Sequence, residues 1–266
     1  MIGQRQSTPI RALVAVSFLA MVAVNALANL LPINGQTNGE VSNAYPNLFT
    51  PVALTFGIWG LIYLLLAGFT LYHLGVFRGD DTASRSGLLN RVGLWFIVSS
   101  FANLAWVFAW HYHAIGWSML LMVIILFSLI MINLAIARER FSWREQLFLR
   151  LPFSVYFGWI TVATIANVAV LLVSLGWDRF GIADTTWTVL VIIVGLLIGG
   201  ITAVRLRDLA YGLVLIWAYS GILIKHLSAL GWAGQFPAVM LTVGISIALL
   251  LALEVYLLRS RRAAMH

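Results

Sequence analysis

Aromatic and amide side chains recur at helical spacing inside three otherwise apolar segments of the chain. The first of these segments carries Phe56, Trp59 and Tyr63 at steps of three and four residues, which places side chains on one face of an α-helix. The three faces together contain Phe56, Trp59, Tyr63, Asn103, Trp106, Trp110, Trp159, Ala163 and Asn167. Rings that stack and amides that donate hydrogen bonds are suited to binding a flat apolar ligand with a few polar groups.

The same residues also have a purely structural interpretation. Lipid-facing positions favour Leu, Ile and Val, so aligned rings with polar tips indicate a face that looks into protein or a cavity. A further amide pair, Asn25 and Asn29, lies on one face of an earlier apolar segment. Asparagine hydrogen bonds between helices, combined with Trp and Tyr belts at the membrane surface, would produce this pattern without any ligand. A binding pocket and ordinary helix packing therefore both stay open at this point.

The polar residues do not form a catalytic set. The chain has no Ser-His-Asp arrangement, no paired carboxylates and no glycine-rich phosphate loop, so we assign no catalytic residue. His111 and His113 are two residues apart and do not share a helix face, so we expect solvated histidines at the membrane interface and assign no metal site. Lys225 is the only lysine, and a lysine that extends to the membrane surface accounts for it better than a retinal Schiff base.

The composition places the chain in a membrane. Hydrophobic residues make up 62% of the 266 residues and charged residues only 9%, whereas a soluble domain has about a quarter charged residues. The net charge is +7, but the basic residues are scattered over short loops, which argues against a nucleic-acid partner. The sequence contains no cysteine, which excludes disulfides and thiolate chemistry. The predicted surroundings are therefore the lipid bilayer.

Eight apolar segments are each long enough to cross a bilayer, which takes about 20 residues. They lie approximately at residues 10–31, 51–75, 88–110, 116–137, 147–174, 186–204, 209–230 and 235–258. The first segment ends like a signal peptide, with Ala26-Leu27-Ala28, but its length favours a retained helix. Seven spans would result if the short sixth or the less apolar seventh segment were re-entrant. The sequence predicts an all-α polytopic membrane helix bundle with eight spans.

The basic residues predict the orientation of these spans. Placing the N-terminus in the cytoplasm leaves only Arg179 and Lys225 on the outer side. The cytoplasmic side then holds Arg5, Arg11, Arg78, Arg85, Arg91, Arg138, Arg140, Arg144, Arg150, Arg205, Arg207, Arg259, Arg261 and Arg262. Since cytoplasmic loops carry the excess of Arg and Lys, we predict a multi-pass protein of the cell membrane with both termini in the cytoplasm.

The longest loop, residues 32–50, falls on the outer side. Its turn signals and the aromatic and proline residues near its end are Pro32, Asn34-Gly35, Asn38-Gly39, Tyr45, Pro46, Phe49 and Pro51. Once the direction of each span is considered, all the polar-aromatic faces lie in the outer half of the membrane, beneath this loop. A loop of this length is often a functional lid, although a simple connector is the alternative. We predict that Tyr45, Phe49 and Pro51 belong to a lid over an outward-facing pocket.

Taken in order, these motifs resemble the TspO family, also called translocator protein, tryptophan-rich sensory protein or peripheral-type benzodiazepine receptor-related. The resemblance rests on Phe49-Thr50-Pro51 followed by Phe56, Trp59 and Tyr63, on Asn103-Leu-Ala-Trp106, and on Trp159-Ile-Thr-Val-Ala163-Thr164-Ile-Ala-Asn167. It covers about residues 10–174. This chain departs from the family pattern in three places. Where the family has Trp near a double proline, this chain has Phe49 and one proline. The family's spacing between the residues that correspond to Phe56 and Trp59 is one residue longer, and its proline in the fifth span lies about one turn later than Pro152.

The resemblance implies a five-helix ligand-binding core, residues 1–174 with the lid at 32–50, plus a three-helix C-terminal extension, residues 175–266. It implies a binding protein for a tetrapyrrole, such as a porphyrin or haem, or for a similar flat hydrophobic ligand, in a sensory or regulatory role. No cofactor is required, and light-dependent breakdown of a bound porphyrin is the only enzymatic activity that the resemblance implies. A permease for a small amphipathic solute is the alternative function. Gly195 and Gly199 form a Gly-x-x-x-Gly motif that would pack the extra helices onto the core or build a homodimer.

Overall fold

The computed structural model of the chain describes residues 7–31, 33–77, 85–137 and 139–263. Several residues used above for the orientation and the outer loop lie outside the described residues, namely Arg5, Pro32, Arg78 and Arg138. The side chains of Asn29, Arg261 and Arg262 lie outside them as well.

The described residues form helices and turns, and no strand occurs among them. The α-helices are α1 (Thr8–Leu30), α2 (Asn38–Asn43), α3 (Ile58–Leu74), α4 (Ser86–His111), α5 (Ile115–Ile136), α6 (Trp143–Glu145), α7 (Leu151–Ser174), α8 (Asp184–Leu206), α9 (Leu209–Leu227) and α10 (Pro237–Ala263). Within the described ranges, eight helical stretches are long and apolar enough to cross a membrane, and they include both α8 and α9. The prediction of an all-α membrane helix bundle with eight spans is confirmed.

The second span begins differently from the prediction. Pro51 precedes a 3₁₀ turn, Ala53–Gly57, and α3 begins only at Ile58. The cause lies in the backbone hydrogen bonds of this stretch: Val52 N donates to the Gly221 carbonyl at 3.2 Å, and Trp217 Nε1 donates to the Thr55 carbonyl at 3.0 Å. Phe56 therefore lies in the 3₁₀ turn and not in α3. That it shares one face with Trp59 and Tyr63 stays a prediction.

The fifth span is interrupted near its start. Ser142 and Glu145 form a reciprocal capping box at α6, which satisfies backbone donors that a helix start otherwise leaves free. Residues Gln146–Arg150 then form a π-helical turn, and α7 follows with Pro152 as its second residue. Proline has no backbone N–H to continue the α-helical pattern, which is consistent with a wider turn directly before it.

The chain forms two compact units, and each unit combines two separate stretches of the sequence. The first unit consists of the described residues within Met1–Val41 and Trp59–Phe157, and the second of those within Ser42–Ile58 and Gly158–His266. The second half of the outer loop thus belongs to the same unit as α8, α9 and α10. The division into residues 1–174 and 175–266 stays a prediction.

The core of the first unit contains a cluster of phenylalanine rings. Phe69 packs edge-on against Phe96 and Phe153, with ring centroids 5.1 Å and 4.7 Å apart, and all three rings are fully buried. Edge-to-face contact is a favoured arrangement of aromatic rings. The cluster connects α3, α4 and α7, and α1 and α5 pack against α4.

The second unit is packed closely through glycines. A Cβ atom at Gly195 would lie 2.7 Å from Tyr219 Oη, and one at Gly199 would lie 2.4 Å from Leu215 Cδ1. The Gly-x-x-x-Gly face of α8 therefore packs against α9 within the chain. Tyr219 also donates a hydrogen bond of 2.7 Å to the Ile192 carbonyl, so small residues and a polar bond hold the same pair of helices together.

We predict that Gly158→Ala destabilises the protein. Its Cβ would lie 2.9 Å from Val214 Cβ and 3.0 Å from the Tyr211 carbonyl oxygen, two atoms that cannot move aside by a side-chain rotation. We expect a loss of about 1–3 kcal/mol in the free energy of unfolding, typical of overpacking. The matched control is Gly244→Ala, where nothing lies within 4 Å and a gain of about 0.5–1 kcal/mol is expected. Melting followed by tryptophan fluorescence measures both, and equal Tm values for the two variants would contradict the packing argument.

Candidate functional site

A cluster of polar aromatic residues surrounds Trp59 in the first unit. The Trp59 and Tyr63 rings stack with centroids 5.5 Å apart and planes 22° apart, as expected for residues one turn apart on α3. The Tyr156 ring of α7 contacts Trp59 edge-on at 5.9 Å. The structure thus brings together two of the predicted site residues and adds a third aromatic residue, Tyr156, which the sequence analysis missed.

Asn103 of α4 belongs to the same cluster. Its Oδ1 accepts a hydrogen bond of 2.8 Å from Asn25 Nδ2, which orients the amide, and the side chain of Tyr156 lies beside that amide. Asn103 and Tyr156 are fully buried. The bond between Asn25 and Asn103 joins α1 to α4, so part of the predicted helix-to-helix amide bonding is present.

At normal hydrogen-bond distances and angles, three buried polar atoms of this cluster have no partner among the described residues: Tyr63 Oη, Tyr156 Oη and Asn103 Nδ2. Tyr156 and Asn103 lie close enough for a weak interaction with each other, which leaves their hydrogen bonding incomplete. Each of them carries a donor hydrogen. Buried polar groups are nearly always paired, because an unpaired one costs about 1–3 kcal/mol. Three such donors around one indole ring are what a site requires for a ligand with hydrogen-bond acceptors.

Trp106 and Trp110 form a second aromatic pair in the first unit. Their rings stack at 5.4 Å with planes 19° apart, and both side chains are buried. Trp110 Nε1 donates to the Asn38 carbonyl at 3.2 Å, in the short helix α2 of the outer loop. The polar edge of Trp110 is therefore engaged within the protein and is not available to hydrogen-bond a ligand.

The remaining predicted site residues lie in the second unit. Trp159 of α7 contacts Phe56 edge-on at 5.8 Å, and Trp159 is only 2% exposed. Ala163 and Asn167 continue the same face of α7, where Asn167 is buried and Ala163 is half-buried. The aromatic faces predicted from the sequence are thus divided between two groups, one around Trp59 and one around Trp159.

The end of the outer loop is held in the second unit. Asn47 Oδ1 accepts hydrogen bonds from the backbone N–H of Phe49 and Thr50 at 3.1 and 2.9 Å, and His226 Nε2 donates to the Leu48 carbonyl at 2.9 Å. Phe49 and the adjoining Pro51 are buried and Tyr45 is half-buried. The segment predicted as a lid is therefore anchored to α9 at its C-terminal end.

The short helix α2 is stabilised at its start by a carboxylate. Glu40 accepts hydrogen bonds from the Thr37 backbone N–H at 2.7 Å and from the Thr37 hydroxyl at 2.8 Å. These bonds favour the charged form and lower the pKa of Glu40 below its usual value. The outer loop is thus structured locally by the hydrogen bonds between Thr37 and Glu40.

The histidines near the outer loop differ from the expectation of solvated side chains. His111 is fully buried, and its Nδ1 donates to the Val107 carbonyl at 2.7 Å, while His113 pairs with Gln36 at 2.8 Å. The prediction for His111 is wrong because the helix end places it against protein. No group of three His, Asp or Glu side chains in the described part of the chain is arranged to hold a metal ion.

Comparison with known protein families gives a match over most of the chain. The sequence model of a family described as TSPO-like protein matches residues 11–256. No curated protein and no solved structure matches the chain. The matched range includes α8, α9 and most of α10, so the family extends over the three C-terminal spans as well as the first five.

We predict that removing the Tyr156 hydroxyl does not destabilise the ligand-free protein. Tyr156→Phe deletes an unpartnered buried donor, so Tm should stay unchanged or rise. In the matched control Tyr219→Phe, an equally buried ring loses a 2.7 Å hydrogen bond to the Ile192 carbonyl. That loss should cost about 1 kcal/mol. A drop in Tm for Tyr156→Phe as large as for Tyr219→Phe would show that the Tyr156 hydroxyl has a partner.

Proposed function

The chain belongs to the TSPO-like protein family, and we propose that it binds a tetrapyrrole or a similar flat hydrophobic ligand in the membrane, in a sensory or regulatory role. The observation that carries the proposal is the group of three unpartnered donors, Tyr63 Oη, Tyr156 Oη and Asn103 Nδ2, around Trp59. The chain is a multi-pass bundle of apolar helices, which is consistent with a hydrophobic ligand that reaches its site from the lipid or from the outer surface.

The chemistry of the cluster supports this class of ligand. A tetrapyrrole has a broad π-face that can stack on an indole and carboxylates that accept hydrogen bonds from hydroxyls and amides. These donors are buried in a membrane protein, where a polar group without a hydrogen-bond partner is energetically costly. A hydrogen-bond acceptor on a bound ligand would remove that cost. The cluster contains no carboxylate or histidine among its four residues, so its polar groups are neutral hydroxyl and amide groups suited to hydrogen bonding. A binding role therefore fits it better than turnover.

The orientation and assembly form part of the same proposal. We place both termini in the cytoplasm of a cell-membrane protein, because the outer side then holds only Arg179 and Lys225 among the basic residues. The ligand site would open outward under this orientation. A homodimer is retained as a prediction, and since Gly195 and Gly199 pack against α9, its interface would have to use another surface.

The proposal predicts that protoporphyrin quenches the tryptophan fluorescence of the purified protein in a saturable manner. Trp59→Ala removes the ring at the centre of the cluster, and we expect at least a tenfold weaker Kd, since an aromatic contact and its buried area are lost. Trp143→Ala is the matched control because Trp143 is 68% exposed. Equal affinity of Trp59→Ala and Trp143→Ala would contradict the proposal, and the permease hypothesis would then be the better one.

The role of the unpartnered donors is tested separately with Tyr156→Phe. If the ligand accepts a hydrogen bond from this hydroxyl, the variant should bind protoporphyrin about two- to tenfold more weakly, which corresponds to about 0.5–1.5 kcal/mol. Because the same change should leave the ligand-free Tm unaltered, the loss would be a ligand contact. Unaltered affinity would show that the donors do not face the ligand.

A further inference from the structure

A separate cavity lies wholly within the second unit. It has a volume of about 200 Å³ and is formed by the end of the outer loop, the last turns of α7, the α7–α8 connection, the first turns of α8 and the α9–α10 connection. Its aromatic lining residues are Phe49, Trp177, Trp187, Trp232 and Phe236. None of the ligand-binding residues predicted on the membrane helices lines it, whereas the end of the predicted lid contributes Pro46, Asn47, Leu48 and Phe49.

The aromatic residues of this cavity are arranged in two perpendicular pairs. Trp177 and Trp187 have ring centroids 4.8 Å apart and planes 73° apart, and Trp232 and Phe236 have centroids 5.3 Å apart and planes 83° apart. In an edge-to-face pair only one ring uses its face in the contact. Trp177 also contacts Phe180, and Phe236 also contacts His226, both edge-on. The cavity wall is thus formed by rings held in place by several aromatic contacts, and such rings are suited to stacking with a further aromatic molecule.

The charges that line the cavity compensate each other. Arg179 Nε lies 2.5 Å from Asp184 Oδ1, and these are the two charged residues among those that line the cavity. Both side chains remain partly exposed, at 38% and 58%, so their free nitrogens and oxygen can still hydrogen-bond. Because the pair has no net charge, an ionic ligand gains little attraction, whereas a neutral ligand with a donor or acceptor finds a partner.

The α7–α8 connection is held in an uncommon backbone conformation beside this cavity. Arg179 and Phe180 are consecutive residues with positive φ, at 61° and 56°, a region that side chains other than glycine rarely occupy. Asp178 fixes the turn by accepting a hydrogen bond of 3.0 Å from the Phe180 N–H. Strained backbone persists where the surroundings enforce it and is frequent at ligand sites. Here the turn carries both Trp177 and Arg179, one on each side of Asp178.

We propose that this cavity is a second ligand site, for a small uncharged aromatic molecule of one or two rings with a hydrogen-bonding group. The volume of about 200 Å³ is below the roughly 300–1,000 Å³ of pockets that hold drug-sized ligands, so a tetrapyrrole is too large for it. The aromatic walls supply stacking, and the Arg179–Asp184 pair supplies the polar contact. This site does not depend on the proposed tetrapyrrole site around Trp59.

The test is equilibrium binding of radiolabelled indole to the purified full chain in detergent. Indole is the probe because it is neutral, has two fused rings and carries one N–H donor. We expect saturable binding that becomes at least tenfold weaker in Trp187→Leu and in Ala169→Phe, which places a ring in the cavity. Trp117→Leu is the matched control, since Trp117 is 67% exposed on α5, and it should bind indole like the unmodified protein.

Two further measurements make the outcome decisive. Trp59→Ala should bind indole normally while losing protoporphyrin, which separates this site from the proposed tetrapyrrole site. Indole-3-acetate and tryptamine should both bind more weakly than indole, because the ion pair favours neither charge. Absence of saturable binding, or equal binding by Trp187→Leu, Ala169→Phe and Trp117→Leu, would overturn the site. Tighter binding of either charged analogue would overturn the assignment to a neutral ligand.

Discussion

A membrane interior contains no water to hydrogen-bond polar groups, and this constraint governs the whole chain. It forces the backbone into helices, and it favours a hydrogen-bond partner within the protein for every buried polar side chain. Most of them do so locally, as when Thr70 and Asn133 donate to the carbonyl one turn earlier at 2.8 and 2.9 Å. Against that background, the group of unpaired donors on Tyr63, Tyr156 and Asn103 is notable because all three belong to one cluster. For this reason the proposed function is built on the cluster around Trp59.

The sequence predicted the spans because hydrophobicity over about 20 residues is a strong signal. It also predicted which residues share a face on one helix, and the stacked rings of Trp59 and Tyr63 agree with that. Helical periodicity does not say which helices meet, so it could not link Asn25 to Asn103, 78 positions away. The same limit explains why Tyr156 was missed, although it lies one turn before Trp159. Nor could periodicity predict the 3₁₀ turn at Phe56. That turn depends on hydrogen bonds from α9 to the backbone of Val52 and Thr55, which are contacts between residues far apart in the sequence.

The C-terminal helices have a definite structural task in the second unit. Three backbone groups near the end of the outer loop bond to α9: the Leu48 carbonyl to His226, the Val52 N–H to Gly221, and the Thr55 carbonyl to Trp217. A Cβ at Gly221 would lie 2.0 Å from Thr55 Oγ1, so this close approach requires glycine. The loop end is thus built into the extension, which agrees with a family match that continues to residue 256.

The two proposed sites differ in the interactions they can offer, and the ligand selectivity that we propose rests on that difference. The cluster around Trp59 combines ring faces with donors inside a membrane span, where an unpaired donor is most costly and an acceptor gains most. The cavity beside the α7–α8 connection combines ring faces with a compensated ion pair of half-exposed side chains, where a polar contact competes with water and contributes less. Size then separates the ligands further, because about 200 Å³ admits one or two rings. Hydrogen-bond acceptors should therefore decide binding in the first cluster, and shape and stacking in the second.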